Sequence, residues 1–209
     1  MAAPPFQEPP RNCPRCPRLA GFLRELRAQY PDWHNAPVNS FGELSARLLI
    51  VGLAPGMKGA NRTGRPFTGD YAGDLLYATL AKYGFSEGTF RADPKDGLKL
   101  LDARIANAVR CLPPENKPLP AEIAQCRPFL AAEIAAMKNL KVIVALGRVA
   151  HETVLGALGE KRSRFPFAHG AVHDLGTGVV LADSYHCSRY NTNTGRLTPE
   201  MFTNVFAEV

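Results

Sequence analysis

Residues 48–52, Leu-Leu-Ile-Val-Gly, form an unbroken apolar run closed by a glycine and followed by Ala-Pro-Gly. That is the pattern of a buried strand that delivers the chain into a loop. Residues 105–109 (Ile-Ala-Asn-Ala-Val) and 142–146 (Val-Ile-Val-Ala-Leu) repeat it, and 179–182 (Val-Val-Leu-Ala) give a fourth instance. Between them, residues 70–83 and more clearly 120–138 carry apolar side chains at helical spacing, and Pro120 suits a first helical turn. Strands alternating with helices predict an α/β chain whose parallel sheet is covered on both faces. In such sheets the ligand crevice lies at the carboxyl ends of the strands, where the motifs described below fall.

The chain has 209 residues, 45% of them hydrophobic, enough for one sizeable core, so a single domain over 1–209 is expected. The opening 1–10 stretch is rich in proline and polar residues and lacks the apolar run of a signal peptide, and no apolar run reaches bilayer-spanning length. A cytoplasmic protein without a membrane partner is expected. With 25 Lys and Arg against 19 Asp and Glu the net charge is +6, which favours a polyanionic partner without identifying one.

In a reducing compartment a Cys-x-x-Cys pair more often holds a metal or cluster than a disulfide. Cys13 and Cys16 make such a pair, followed by the singletons Cys111 and Cys126 with 14 residues between them. A zinc ribbon usually brings two such pairs, so the asymmetry leans toward a four-thiolate iron–sulfur cluster. Two alternatives stay open: zinc, or a role for the N-terminal pair alone with Cys111 and Cys126 as buried apolar residues. Cys187 belongs to a different motif and is not expected to be a ligand.

The stretch from Gly52 to Gly73 carries glycines at 52, 56, 59, 64, 69 and 73, which let backbone approach a ligand closely, while Asp70 could cap the helix that follows. It has neither a P-loop ending nor a G-x-G-x-x-G fingerprint. The embedded Phe67 instead suits stacking on a planar base. A third motif, His186-Cys-Ser-Arg-Tyr-Asn-Thr-Asn-Thr-Gly-Arg-Leu197, follows the last predicted strand and combines a histidine with phosphate- and base-contacting side chains.

Taken together, residues 52–56, the 61–70 segment Asn-Arg-Thr-Gly-Arg-Pro-Phe-Thr-Gly-Asp, the Asn107 strand running into Cys111, and residues 186–191 resemble the iron–sulfur uracil-DNA glycosylases. The similarity is greatest to the family 5 branch, also called type B, and runs from Cys13 to about Leu197. It implies a three-layer α/β/α sandwich with a four-stranded, mainly parallel central sheet. It also implies a [4Fe–4S] cluster on Cys13, Cys16, Cys111 and Cys126, and a monomer acting on DNA that contains uracil or other deaminated bases such as hypoxanthine.

By the same resemblance Phe67 stacks on the extruded base, Asn107 reads its edge, Gly52 lines the base site, and His186 stands by O2 of the leaving base. Asp70 is the motif carboxylate available for water or for the sugar cation. Arg62, Ser188, Arg189, Tyr190 and Arg196 are the DNA-contacting candidates. Family 4 relatives carry an acidic residue where this chain has Leu53, so the water-handling group is not given by that position. A catalytically silent iron–sulfur nucleic-acid-binding module is the alternative; a zinc deaminase is disfavoured because no His-x-Glu accompanies the Cys-x-x-Cys.

Overall fold

The computed structural model describes residues 6–208; residues 1–5 of the proline-rich opening stretch, and residue 209, lie outside the described residues. In chain order the elements are α1 (Pro17–Gln29), β1 (Leu48–Gly52), the single turn α2 (Ala60–Thr63), α3 (Tyr71–Lys82), the short pair β2 (Ser86–Glu87) and β3 (Lys99–Leu100), β4 (Ala103–Asn107), α4 (Pro120–Ala136), β5 (Val142–Leu146), α5 (Arg148–Leu158), β6 (Val172–Asp174), β7 (Val180–Ser184), α6 (Arg189–Asn193) and α7 (Pro199–Ala207).

The main sheet runs β4-β1-β5-β7-β6, with the first four strands parallel and β6 antiparallel at the edge. Its central strands are apolar throughout because both faces are covered. Along β1, Leu48 and Ile50 pack with Leu76 and Leu80 of α3 and Phe202 and Phe206 of α7. Leu49 and Val51 face the other way, toward Leu130 of α4 and Val154 and Leu155 of α5. That alternation produces the three layers.

The expected four-stranded sheet is therefore a five-stranded one. The additional strand β6 reads Val-His-Asp, a three-residue edge segment too short and polar to register as a periodic apolar run. Two boundaries also move. The strand expected at 105–109 occupies Ala103–Asn107, and the one expected at 179–182 occupies Val180–Ser184. Both gain polar residues that are buried because they are paired.

Arg104 in β4 donates from Nε to Glu133 Oε1 of α4 at 2.5 Å, and Arg110 donates to Glu133 Oε2. Glu8 accepts from Arg104 Nη2 at 3.1 Å and from Arg110 Nη1 at 3.3 Å, while Arg104 Nη1 donates to the Gly42 carbonyl. Asp183 in β7 lies 2.7 Å from His151 Nδ1 and 3.1 Å from His173 Nε2, joining α5, β6 and β7. A strand reading based on apolar runs stops at such residues, whereas the fold continues through them.

Glu133 is wholly buried and is the shared acceptor of two buried guanidiniums. Glu133→Ala should therefore destabilise the fold by about 3–5 kcal/mol, the scale for removing one partner of a buried ion pair, as a lowered urea midpoint measured by circular dichroism.

Candidate active site

Gly52 ends β1 and Asn107 ends β4, and the parallel register sets them side by side. A Cβ on Gly52 would stand 2.5 Å from Asn107 Oδ1 and 2.6 Å from Phe67 Cζ, so only glycine lets the amide and the ring close over the strand end. Asn107 is 3% exposed, and its Oδ1 is buried without a hydrogen-bond partner. A native fold rarely leaves such an acceptor unmatched, so a ligand or an ordered water supplies the donor here.

Phe67 adopts the left-handed backbone conformation at φ 51°, uncommon for a side chain of this size. Its neighbours hold it there. Arg65 donates from both terminal nitrogens to Asp96 at 2.8 Å and from Nε to the Thr68 hydroxyl at 2.8 Å. The Tyr77 hydroxyl donates to the Pro66 carbonyl at 2.8 Å, and a Cβ on Gly73 would collide with the Phe67 carbonyl. Arg65 holds the Asp96 carboxyl far below the usual carboxylate range, so the clamp is ionic at any pH the fold meets.

The ring so placed lies 5.9 Å from the imidazole of His186 with 25° between their planes. Ala54, Gly56, Ala60, Phe67, Asp70, Ala72, Asn107 and His186 enclose one small pocket at the carboxyl ends of β1 and β4. Asp70 is the N-cap of α3, accepting the Gly73 amide at 3.3 Å on Oδ1. Its other oxygen faces the loop, where a Cβ on Gly59 would stand 2.2 Å away and one on Gly56 3.1 Å away. The capping and pocket readings of Asp70 are thus compatible: each oxygen has its own task. Burial raises the Asp70 carboxyl above its ordinary pKa, and the Gly73 amide works against that rise.

His186 follows β7. Burial pushes its pKa down to about 4, which leaves a neutral imidazole across the physiological range. Its carbonyl accepts from Asn191 Nδ2 at 2.8 Å, tying it to α6. His186 also borders a neighbouring groove of about 310 Å³ lined by Arg148, Phe167, Tyr185, Asn191 and Arg196.

Around this mouth the DNA-contacting candidates are spread as follows. Arg62 is exposed on α2, Ser188 caps α6 by accepting the Asn191 amide, and Tyr190 projects with 73% of its surface exposed. Arg189 lies over the Tyr71 ring at 5.4 Å and Arg196 over the Tyr185 ring at 4.6 Å. Sequence reasoning missed Arg65, Asp96 and Arg148. Arg148 follows a glycine at a strand end, a cue that the β5 pattern offered; the Arg65–Asp96 pairing spans a loop and carries no local signal.

The four cysteines Cys13, Cys16, Cys111 and Cys126 converge on a second, smaller cavity floored by Leu19, Val109 and Phe129. Cys16 is the N-cap of α1, Cys111 lies four residues beyond Asn107, and Cys126 sits in α4 accepting the Arg110 amide at 3.3 Å. Burial lifts the Cys16 thiol to about 11, with Cys126 as the next cause, and burial likewise raises Cys111 and Cys126. Burial and the neighbouring thiols hold Cys16, Cys111 and Cys126 protonated, and a bound cation would offset that by favouring the thiolates. Among the described residues only His151, His173 and Asp183 form a group of three or more potential ligands with all donor atoms within 4.8 Å. The cysteine sulfurs are therefore spread more widely than that. Cys187 is apart from them, donating to the Ala72 carbonyl at 3.4 Å.

Residues 39–209 match the family model described as the uracil DNA glycosylase superfamily. The chain belongs to that superfamily. Within it, this glycosylase sequence is 45% identical to the type-5 uracil-DNA glycosylase of Thermus thermophilus, over 94% of this chain and 91% of the relative. It is 44% identical to that of Mycobacterium tuberculosis, over 94% and 76%. Identity to a type-4 enzyme of Pyrobaculum aerophilum is 31%, over 84% and 78%, so the chain sits on the type-5 branch, in line with Leu53 at the strand-end motif.

The lowered pKa of His186 carries a pH dependence of stability. Unfolded, the group binds a proton near 6.5, and folded only near 4; its burial therefore lowers stability only as pH falls below 6.5. In a nitrogen-15 NMR titration the His186 ring should remain neutral at pH 5, and a midpoint near 6.5 would show the ring to be solvated.

Proposed function

We propose that this chain hydrolyses the N-glycosidic bond of uracil in DNA, and of other deaminated bases such as hypoxanthine, leaving an abasic site. The observation that carries the reading is the buried, partnerless Oδ1 of Asn107 beside the Phe67 ring. An acceptor there matches the N3–H of uracil and opposes the bare N3 of cytosine. Leaving it unmatched costs about 1–3 kcal/mol, enough for roughly ten- to hundredfold discrimination. Hypoxanthine offers an N1–H where adenine has a lone pair, so one acceptor distinguishes both deaminated bases from their parents.

The base must leave the stack to reach this pocket, at a cost of a few kcal/mol on the order of one broken pair, least for a mismatch. Phe67 receives its face. Tyr190 is positioned to fill the vacated stack, and Arg62, Ser188, Arg189 and Arg196 contact backbone phosphates. The bond between C1′ and the base nitrogen then breaks with its electron pair on the base, while positive charge develops on the sugar.

A neutral His186 donates a ring N–H to O2 of the departing base and stabilises that charge without first losing a proton. The Asp70 carboxylate, whose Oδ2 takes no part in capping, stabilises the sugar cation and orients the water that attacks C1′. Leu53 supplies no polar group, so catalysis rests mainly on the leaving-base side.

Cys13, Cys16, Cys111 and Cys126 would hold a [4Fe–4S] cluster. One Cys-x-x-Cys pair with two distant singletons, in place of the two such pairs of a zinc ribbon, favours the cluster over zinc. Glycosidic hydrolysis moves no electron, so the cluster's part is structural, joining the N-terminal segment to the strand that carries Asn107. The protein acts as a monomer in the cytoplasm; no helix among the described residues is long and apolar enough to cross a membrane.

Protein incubated with oligonucleotides containing uracil, hypoxanthine or no lesion should leave alkali-labile sites only in the first two. Asn107→Ala should lose rate and also the preference for uracil over cytosine; wild-type selectivity in that variant would remove Asn107 from the base site. In single-turnover cleavage at saturating enzyme, His186→Ala should slow uracil release on the order of 10²-fold or more, and Asp70→Ala less. The opposite ranking, with both variants folded, would make Asp70 the principal catalytic residue. Anaerobically purified protein should be brown and contain iron; about one zinc per chain and no iron would refute the cluster.

A further inference from the structure

Beside the cysteine centre, and separate from the base pocket, runs a groove of about 510 Å³ lined by Arg11, Arg24 and Arg27 together with Cys13, Pro37 and Cys111. Arg24 and Arg27 are one turn apart on the same face of α1, and Arg11 comes from the turn that precedes Cys13. Among the described residues none of the three is ion-paired with a carboxylate.

Arg27 is committed to the fold, donating to the Asn35 and Arg11 carbonyls and to Asn12 Oδ1 at 2.7–3.0 Å. Its role is to fix the groove. Arg11 and Arg24 are exposed and stand on either side of it.

The groove's place relative to the base pocket follows from chain length. Cys111 on its wall is four residues beyond Asn107 in the pocket. Four residues span at most about 14 Å. Along one DNA strand that is the rise of about four nucleotides. The turn of chain after α1 reinforces the link: the buried Asn61 amide, next to Ala60 of the pocket wall, donates to Asn35 Oδ1 at 2.8 Å.

We propose that this groove is a second anchoring site for DNA, in which Arg11 and Arg24 hold backbone phosphates outside the base pocket. The inference rests on the glycosylase reading for the identity of the polyanion. It gives the cysteine centre a place in binding: by fixing the Cys13 turn against Cys111, the centre would hold the groove wall from which Arg11 extends.

The test uses iron-loaded protein and an undamaged labelled duplex, with affinity measured by fluorescence anisotropy across a potassium chloride series. Each phosphate contact contributes about 0.9 to the slope of log K against log salt. The Arg11→Ala/Arg24→Ala variant should lose between one and two from that slope and bind at least tenfold more weakly near 100 mM salt. Lys138→Ala/Lys141→Ala, which removes the same charge at the opposite end of the sheet, should lose less than half as much. A slope equal to wild type, or an equal loss in the lysine control, would overturn the proposal. Loss of iron from the arginine variant with an unchanged slope would do so as well, assigning the arginines to the cluster. Because the readout is binding to undamaged DNA, uracil release, scored separately on the same proteins, decides the glycosylase reading independently.

Discussion

Two parts of the molecule that share no sequence motif depend on one carboxylate. Glu133 projects from α4 into the protein interior and takes Arg104 from β4 on one oxygen and Arg110 from the segment beyond it on the other. Asn107 lies between those arginines, and Cys111 directly follows the second. The same helix carries Cys126, whose sulfur accepts the Arg110 amide. Burying two guanidiniums and a carboxylate is costly unless geometry and neighbours compensate, and Glu8 and Ser40 complete the set here. What the network contributes is position: β4, its exit loop and α4 cannot shift relative to one another without exposing an unmatched charge. The Asn107 amide and the cysteine centre are consequently registered to the same frame.

A comparable logic governs Phe67. A left-handed phenylalanine costs on the order of 1–3 kcal/mol, so it persists only where the surroundings over-determine it. The Arg65–Asp96 pair, stacked near Phe41, Tyr77 and Phe90, performs that task from one side, and the Tyr77 hydroxyl from the other. Phe67 is therefore set before any base arrives, and binding need not supply the energy to order it. Gly52 and Gly73 are required for the same reason: each clears the volume that the fixed ring or its carbonyl occupies.

The sheet was legible where both faces are apolar, since β1 and β5 read as uninterrupted hydrophobic runs at their observed positions. It was illegible where burial is achieved by pairing. Arg104 and Asp183 look like loop residues in a sequence, yet both sit inside strands because Glu133, His151 and His173 answer them from elsewhere in the chain. The edge strand β6 was lost for a related reason, its central His173 being turned inward to Asp183. At the site, Phe67, Asp70 and His186 stood out by residue type and place in their motifs, Gly52 and Asn107 were singled out through the family resemblance, and the five meet at one pocket. Arg65 did not: it lies inside the most distinctive motif, but its partner Asp96 is 31 positions away. Nothing local separates a buried arginine from a solvated one.

In the small pocket at the strand ends Asp70 and His186 are both desolvated, and their pKa values move in opposite directions. Burial raises the pKa of the first and lowers that of the second, so desolvation alone would drive both toward their neutral forms. For His186 that is the useful form, because a neutral ring retains an N–H to give to a developing anion. For Asp70 the useful form is the charged one, and the structure opposes desolvation there with the Gly73 amide and the N-terminus of α3. On the mechanism proposed above, the cap would serve catalysis by favouring the charged carboxylate against its desolvation. His186 and Asp70 would then each meet the charge of opposite sign that develops on the departing base and on the sugar.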